Sequence, residues 1–218
     1  MATATKFLNQ FRKPTGWFGR WNLSNMNRRH SRLTDWGLAH VSIEPRATVL
    51  DVGCGGGRTL YKLAALAPAG NAYGVDYSDA SVASSRKTNR RGIQAGRVEI
   101  RRASVSELPF APDTFDLVTA VETHFYWPDL PADLREVLRV LKPGGALVVI
   151  AEAYKGGKKD KQIQMFADMM SRTGSYSHLT IEEHRALFTS AGYSDVQVFE
   201  EYDKGWMCAM GRKQGGGG

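Results

Sequence analysis

From residue 47 onward, short β-branched segments ending in Gly or Asp alternate with helical patterns. This alternation constrains the chain more than any other feature. The segments are ATVLDVG (47–53), NAYGVDYS (71–78), GRVEIRRAS (96–104), FDLVTAVE (115–122) and GGALVVIAEA (144–153). Between them, Thr59–Ala67 sets Leu60, Leu63, Ala64 and Ala67 at helical spacing. A second helix is expected from Asp79 to about Gln94, with Ser78 or Asp79 as N-cap. A third, over 130–141, places Leu134, Val137, Leu138 and Leu141 on one face, and Lys142-Pro-Gly-Gly reads as a stop followed by a turn. Strands separated by helices must run parallel with helices on both faces, so the predicted class is α/β.

The nearly all-apolar run 144–153 suits a strand buried on both sides. After it come a Gly/Lys-rich loop, a helix expected around 160–172, and another from Thr180 to Gly192. Thr180 and Glu183 of that last helix have capping-box spacing. Two further strands are expected at Asp195–Glu200 and Trp206–Arg212. Residues 1–46 read as a separate N-terminal helical lid, 47–213 as the main domain and 214–218 as a flexible tail. Leu33, Trp36, Gly37 and Val41 suggest one amphipathic helix in the lid.

The chemistry concentrates at Val49-Leu-Asp51-Val-Gly53-Cys-Gly55-Gly-Gly57, where a parallel strand hands over to a helix. Open α/β sheets bind ligands at the carboxyl ends of their strands, near the point where strand order reverses. A dinucleotide fingerprint would need glycine at position 58, and this chain has Arg58; no G-K-[ST] follows, so a P-loop is excluded. A carboxylate two residues before the first glycine suits a ligand with an ammonium group better than a pyrophosphate. Cys54 reads as a packing residue.

With these residues in view, the sequence resembles the class I S-adenosylmethionine-dependent methyltransferases of the small-molecule type. Four motifs agree in order over about residues 45–152: VLDVGCGGG, the acid Asp76 in GVDYS, RRASVSELPFAPDTFDLV, and LREVLRVLKPGGALVV. The resemblance implies a single Rossmann-like, doubly wound, mostly parallel seven-stranded sheet whose last strand is antiparallel. It implies S-adenosyl-L-methionine as cofactor and S-adenosyl-L-homocysteine as product. Asp51 and the backbone of Gly53 and Gly55 would hold the methionine end. Asp76 would accept both ribose hydroxyls, because a carboxylate offers two acceptor oxygens to a vicinal diol. Tyr77 would lie against the adenine, Ser104 and Val105 would address its edge, and Val121 and Glu122 would line the methionine end. The family often has Asp where this chain has Ser104.

Methyl transfer from a sulfonium asks chiefly for alignment and exclusion of water. The acceptor is expected beyond strand four, where His124 is the candidate base and Tyr126 with Trp127 a candidate aromatic wall; His124 and Tyr126 are the expected catalytic residues. Trp17, Trp21, Met26, Asn27, His30 and Trp36 could form the lid, and Arg28-Arg29-His30 could bind an acidic acceptor or the cofactor carboxylate. No metal site is expected, since no Cys/His cluster has ligand spacing.

The charge tests these readings. The chain holds 29 Lys+Arg against 22 Asp+Glu, formally +7. Residues 1–46 carry eight basic and two acidic residues, and 86–102 carry seven and one. A nucleic-acid substrate is the alternative this raises, with a protein substrate and a non-catalytic cofactor-binding protein beside it. Glu122-Thr-His-Phe stands where a base amino-methylator would have Asn/Asp-Pro-Pro-Tyr/Phe, and there is no Pro-Cys nucleophile, so the expected partner is a small-molecule acceptor. No apolar run reaches the roughly 20 residues of a membrane span, and the N-terminus has no secretory apolar stretch. With only Cys54 and Cys208, a disulfide framework is excluded, and a cytoplasmic setting is expected.

Overall fold

The computed structural model describes residues 30–171 and 176–215. Trp17, Trp21, Met26, Asn27, Arg28 and Arg29 of the expected lid, and most of the expected tail, lie outside them. The described residues form one seven-stranded sheet: β1 (Thr48–Val52), β2 (Asn71–Asp76), β3 (Val98–Arg102), β4 (Phe115–Val121), β5 (Leu141–Glu152), β6 (Ser194–Glu201) and β7 (Trp206–Arg212). Their order across the sheet is β3-β2-β1-β4-β5-β7-β6. Pairings are parallel from β3 through β5, and β7 runs antiparallel to both neighbours. The chain winds outward from β1 to β3, then returns to the other side of β1 for β4. The reversal therefore falls between β1 and β4, where such sheets open a crevice at their carboxyl ends.

Helices cover both faces: α1 (Ser31–Leu38), α2 (Arg58–Leu66), α3 (Asp79–Thr88), α4 (Arg90–Gln94), α5 (Leu130–Val140), α6 (Asp160–Ser171) and α7 (Ile181–Ser190). Side chains alternate across a strand, so two cores form. Val49, Val148 and Ile150 face Leu33, Leu60 and Leu63 on one side; Leu50, Leu147 and Val149 face Leu134, Val137 and Phe188 on the other. This double burial is why β5 carries an unbroken apolar run.

Helix limits follow local chemistry. The Asp129 side chain accepts from Ala132 N at 3.1 Å and caps α5, with Pro131 in the first turn. The expected capping box holds α7: Thr180 Oγ1 accepts from Glu183 N at 3.1 Å, and Glu183 Oε2 accepts from Thr180 N at 2.7 Å.

Two expectations are corrected. The helix expected over 79–94 is two helices, broken at Asn89. That side chain is buried, and its Nδ2 donates to Ser85 O and Gly57 O, each at 3.0 Å. The break thus ties the helix to the glycine turn. The Lys142-Pro-Gly-Gly segment is not a turn between helix and strand but part of β5. Leu141 already pairs with Phe115, and the register then shifts so that Leu117 meets Ala146. Gly144 takes φ 79 within this irregularity.

α1 lies across β5 and β7 at very short range. A Cβ added at Gly37 would sit 2.5 Å from Ile150. Gly→Ala inside a helix normally gains about 1 kcal/mol. Here overpacking, typically about 1–3 kcal/mol, outweighs that gain. Gly37→Ala is therefore expected to lower stability, read as a reduced urea midpoint with an unchanged slope.

Candidate functional site

The carboxyl ends of β1, β2 and β4 surround a cavity of about 210 Å³. Its floor starts at the glycine turn. Gly53 and Cys54 both donate their N–H to Val75 O, at 2.8 and 2.9 Å, which closes the turn over β2. Gly53 sits at φ 72, a region where only glycine is comfortable, and a Cβ there would fall 2.2 Å from Thr123 Oγ1. The β1 and β4 turns therefore touch, and Thr123 joins Gly53 in the cavity wall.

Asp76 ends β2 and faces this cavity. Oδ2 accepts from Gly55 N at 3.0 Å and Oδ1 from Ser78 N at 2.9 Å. The carboxylate is held by these two bonds and by the Ser81 side chain, and with about four acceptor positions on its two oxygens it keeps room for a further donor. Burial pushes its carboxyl up from the ordinary range, against the pull of the two amides and the Ser81 side chain. A ribose hydroxyl brought into the cavity would replace lost water at the remaining acceptor position. Tyr77, about one-third exposed, and exposed Ser104 line the same cavity with buried Val105. Ser104 Oγ also accepts from Ser106 N at 3.2 Å, so its hydroxyl orders the loop it stands on. Tyr126 and buried Trp127, in the turn past β4, also line the cavity.

Other expected residues stand elsewhere. Asp51 is 2% exposed and does not line the cavity. Its Oδ1 accepts from Thr119 Oγ1 at 2.9 Å, and the backbone N–H of Leu60 also bonds to it. Leu60 lies in the first turn of α2, whose N-cap, Gly57, offers no side chain. Asp51 thus serves as that helix's missing cap and joins β1, β4 and α2 beneath the glycine turn. Burial pushes its carboxyl up to about 7 despite these bonds, with the Asp76 charge adding to the shift.

A carboxyl raised in the native state stabilises most below its unfolded pKa, near 4, and loses that advantage as pH climbs through 7. Asp51→Asn keeps an acceptor oxygen for both partners and carries no charge. It is expected to raise stability above pH 7 by about 1–3 kcal/mol, the scale of an uncompensated buried polar group. The gain should shrink toward pH 4, as chemical denaturation at several pH values would show.

His124 is corrected as the candidate base. It is 4% exposed and absent from the cavity wall, and its Nε2 lies 3.0 Å from Nε2 of His184. His184 Nδ1 is 2.7 Å from Thr180 O, which can only accept, so that nitrogen carries the proton. His184 Nε2 is then the acceptor and His124 Nε2 the donor. His124 Nδ1 is left as a buried lone pair without a hydrogen-bond partner. Burial lowers both imidazoles, His124 well below the ordinary value, with His184 contributing to the shift in His124. The pair fastens the turn after β4 to α7.

Val121, partly buried, packs against the core on the α1 and α2 side of the sheet, and Glu122 bonds to Glu152 of β5 and is absent from the cavity wall. Trp36 lies against His40 and Trp206, with ring centroids at 4.9 and 5.9 Å, and is not part of the cavity wall. Cys54 is buried against Ser85, and burial pushes its thiol up, as a packing role requires. Among the described residues no cluster of His, Cys, Asp and Glu could hold a metal ion, and no helix is long and apolar enough to cross a membrane. Thr123, Thr88 and Asn89 escaped sequence reading. Thr88 Oγ1 donates to Gly56 O at 2.7 Å, so with Asn89 on Gly57 the later end of the glycine turn is pinned from the end of α3. The signal was the polar Thr88-Asn89 pair inside an otherwise helical pattern.

Comparison with known proteins identifies the family. A family described as "Methyltransferase domain" matches residues 50–149. The chain is 33% identical over 166 residues to the ubiquinone/menaquinone biosynthesis C-methyltransferase UbiE of Geobacter sulfurreducens, covering 68% of this chain and 65% of that protein. The chain thus spans just under two thirds of that relative. It is 31% identical over 208 residues to the demethylmenaquinone methyltransferase of Geobacillus kaustophilus, covering 86% of this chain and 88% of the relative. Among solved structures, phosphoethanolamine N-methyltransferase 2 of Haemonchus contortus, in complex with S-adenosyl-L-methionine, superposes with a TM-score of 0.70. That match has 16% identity and covers 84% of this chain and 53% of the other.

Proposed function

The chain belongs to the class I S-adenosylmethionine-dependent methyltransferase family, and from that premise we propose that it transfers a methyl group from S-adenosyl-L-methionine to a small-molecule acceptor, leaving S-adenosyl-L-homocysteine. The observation that carries this reading is Asp76. Two backbone amides and the Ser81 side chain hold its carboxylate in the wall of a cavity, with acceptor capacity left over for the ribose. Bound there, the cofactor supplies a methyl group on a sulfonium, which is already a good leaving group.

The protein's own residues bind and align. Asp76 takes the ribose, Tyr77 and Val105 flank the adenine, and the Gly53–Thr123 contact shapes the methionine end. Tyr126 and Trp127 exclude water on the acceptor side. Asp51 acts behind the turn by holding α2, not by touching the ligand.

The basic stretch 86–102 does not favour a nucleic-acid substrate. Lys87, Arg90, Arg91 and Arg97 line a separate open groove with Ala64 and Val98, at the amino end of β3. That is the far end of the sheet from the cavity. The relatives whose names specify quinone biosynthesis support a small acceptor. The two free, buried thiols fit a reducing compartment, and the same proposal places the protein in the cytoplasm.

The test is incubation with methyl-labelled cofactor and fractionated metabolite extract. Label is expected in a low-molecular-weight product. Label only in RNA or protein, or none above a boiled control, would overturn the reading.

A further inference from the structure

The acids of this chain are absent from two long stretches. No Asp or Glu lies between Asp51 and Asp76, and none between Asp79 and Glu99. The fold brings these stretches together: α2 comes from the first, and most of α3, all of α4 and the start of β3 from the second. Between them runs an open groove of about 630 Å³. Lys87, Arg90, Arg91 and Arg97 line it, and no carboxylate does.

Neighbouring cations are neutralised within the fold. On α2 the Lys62 ammonium meets Asp35 at 2.5 Å. Farther along β3, Arg101 meets Glu99 at 2.6 Å and Arg102 meets Asp79 at 3.3 Å. Among the described residues no carboxylate pairs with Lys87, Arg90, Arg91 or Arg97. The basic stretch 86–102 is thus divided, and its uncompensated charge gathers at the groove. Four like charges there repel one another, and the apolar wall of Ala64, Ala95 and Val98 focuses their field on an anion that enters.

The groove has a fixed frame. Gly92 of α4 lies so close to β3 that a Cβ would stand 2.5 Å from Val98 Cγ2. Arg97 Nη1 donates to Ala64 O at 3.3 Å and Ala67 O at 3.4 Å, which ties the start of β3 to α2 and fixes one guanidinium. Lys87, Arg90 and Arg91 are exposed around it. The Tyr61 ring, 51% exposed, stands in the same wall with the Arg58 guanidinium 5.4 Å from its centroid.

We propose that this groove is a second binding site, for a small ligand that carries an oligophosphate group. A guanidinium offers paired N–H donors at the spacing of two phosphate oxygens, and three arginines with a lysine match several phosphates in a row. A volume of this size suits a compact ligand. A long polyanion would need the unpaired charge to continue along the surface, where Arg101 and Arg102 are already paired. A flat membrane would not follow a concave wall. Two sources share the chemistry, a nucleoside triphosphate and a bare phosphate chain. The exposed Tyr61 ring favours the first, since a base can stack on it. The groove lies at the far end of the sheet from the cofactor cavity, so this site stands apart from the function proposed above.

The test is calorimetric titration of tripolyphosphate and of ATP into the full chain, at about 50 and about 200 mM salt. S-adenosyl-L-homocysteine fills the cavity, so that ATP is read at the groove. One tripolyphosphate is expected per chain, bound more weakly at the higher salt. It should bind equally without S-adenosyl-L-homocysteine, so failure of the cofactor reading leaves this result intact. Arg90→Gln combined with Arg91→Gln should weaken binding about 10-fold or more. Arg32→Gln combined with Arg135→Gln removes the same charge elsewhere and should change it less than about twofold. Thermal unfolding of both pairs checks that they fold. Tyr61→Ala separates the sources: a loss for ATP alone supports a nucleotide, and no loss for either supports a bare phosphate chain. No saturable tripolyphosphate binding, equal affinity in wild type and the Arg90/Arg91 variant, or an equal loss in the control pair overturns the proposal. Citrate bound as tightly as tripolyphosphate overturns it too, because the groove would then not read phosphate. Binding of single-stranded RNA or phosphatidylglycerol vesicles without binding of tripolyphosphate would give the groove to a macromolecule and likewise overturn it.

Discussion

Gly53→Ala is expected to cost roughly 2–5 kcal/mol of stability and to weaken cofactor binding at least 10-fold. Two effects add. A non-glycine residue at φ 72 loses roughly 1–2 kcal/mol. The new Cβ would also stand 2.2 Å from Thr123 Oγ1 and 2.8 Å from Thr123 Cβ, an overlap worth about 1–3 kcal/mol even after local shifts. Thr123 is in the cavity wall, so relief of the clash distorts the site. The two effects separate in a double-mutant cycle. In a Thr123→Gly background the substitution should cost only the backbone share, with a coupling of about 1–3 kcal/mol. Urea unfolding of the four proteins measures it, and zero coupling would remove the Gly53–Thr123 contact as the cause.

The second large effect is in acid. His124 and His184 are neutral in the native pair, with pKa values lowered by burial. In the unfolded chain both titrate near 6.5. Above that pH neither state binds the protons, and the pair is without pH effect. Below it the unfolded chain takes them up and the native state does not, so stability falls with each further drop. The slope is about 1.4 kcal/mol per pH unit for each imidazole until the native pKa values are reached. Asp51, Asp76 and Asp133 act with the opposite sign, because their raised carboxyls take up protons natively first. Only a difference isolates the pair. Between pH 6.5 and 5, wild type should lose about 1.4 kcal/mol per pH unit more than His124→Gln does, by chemical denaturation. Equal slopes would mean that His124 is protonated in the native state.

Much of this molecule can be read in its residues, because the informative features are local. β-branched runs ending in Gly or Asp, the Asp129 and Thr180 caps, and the spacing from the glycine turn to Asp76 each encode their structure within a few positions. The misplacements share a different cause. Asn89 breaks a helix because it bonds to Gly57, 32 residues away. Asp51 looks like a ligand residue until Thr119 and Leu60 close over it. His124 looks like a loop base until His184, 60 residues on, packs against it. Long-range partners decide these roles, and residue type alone carries no trace of them.

Titration calorimetry of S-adenosyl-L-methionine into wild type and Asp76→Ala tests the central claim most directly, that the cavity is a cofactor site organised by Asp76. One molecule should bind per wild-type chain. The variant should bind about 1–3 kcal/mol more weakly, a loss of roughly 5- to 150-fold on the scale of hydrogen bonds to a charged group. Equal affinity for both proteins would contradict the account.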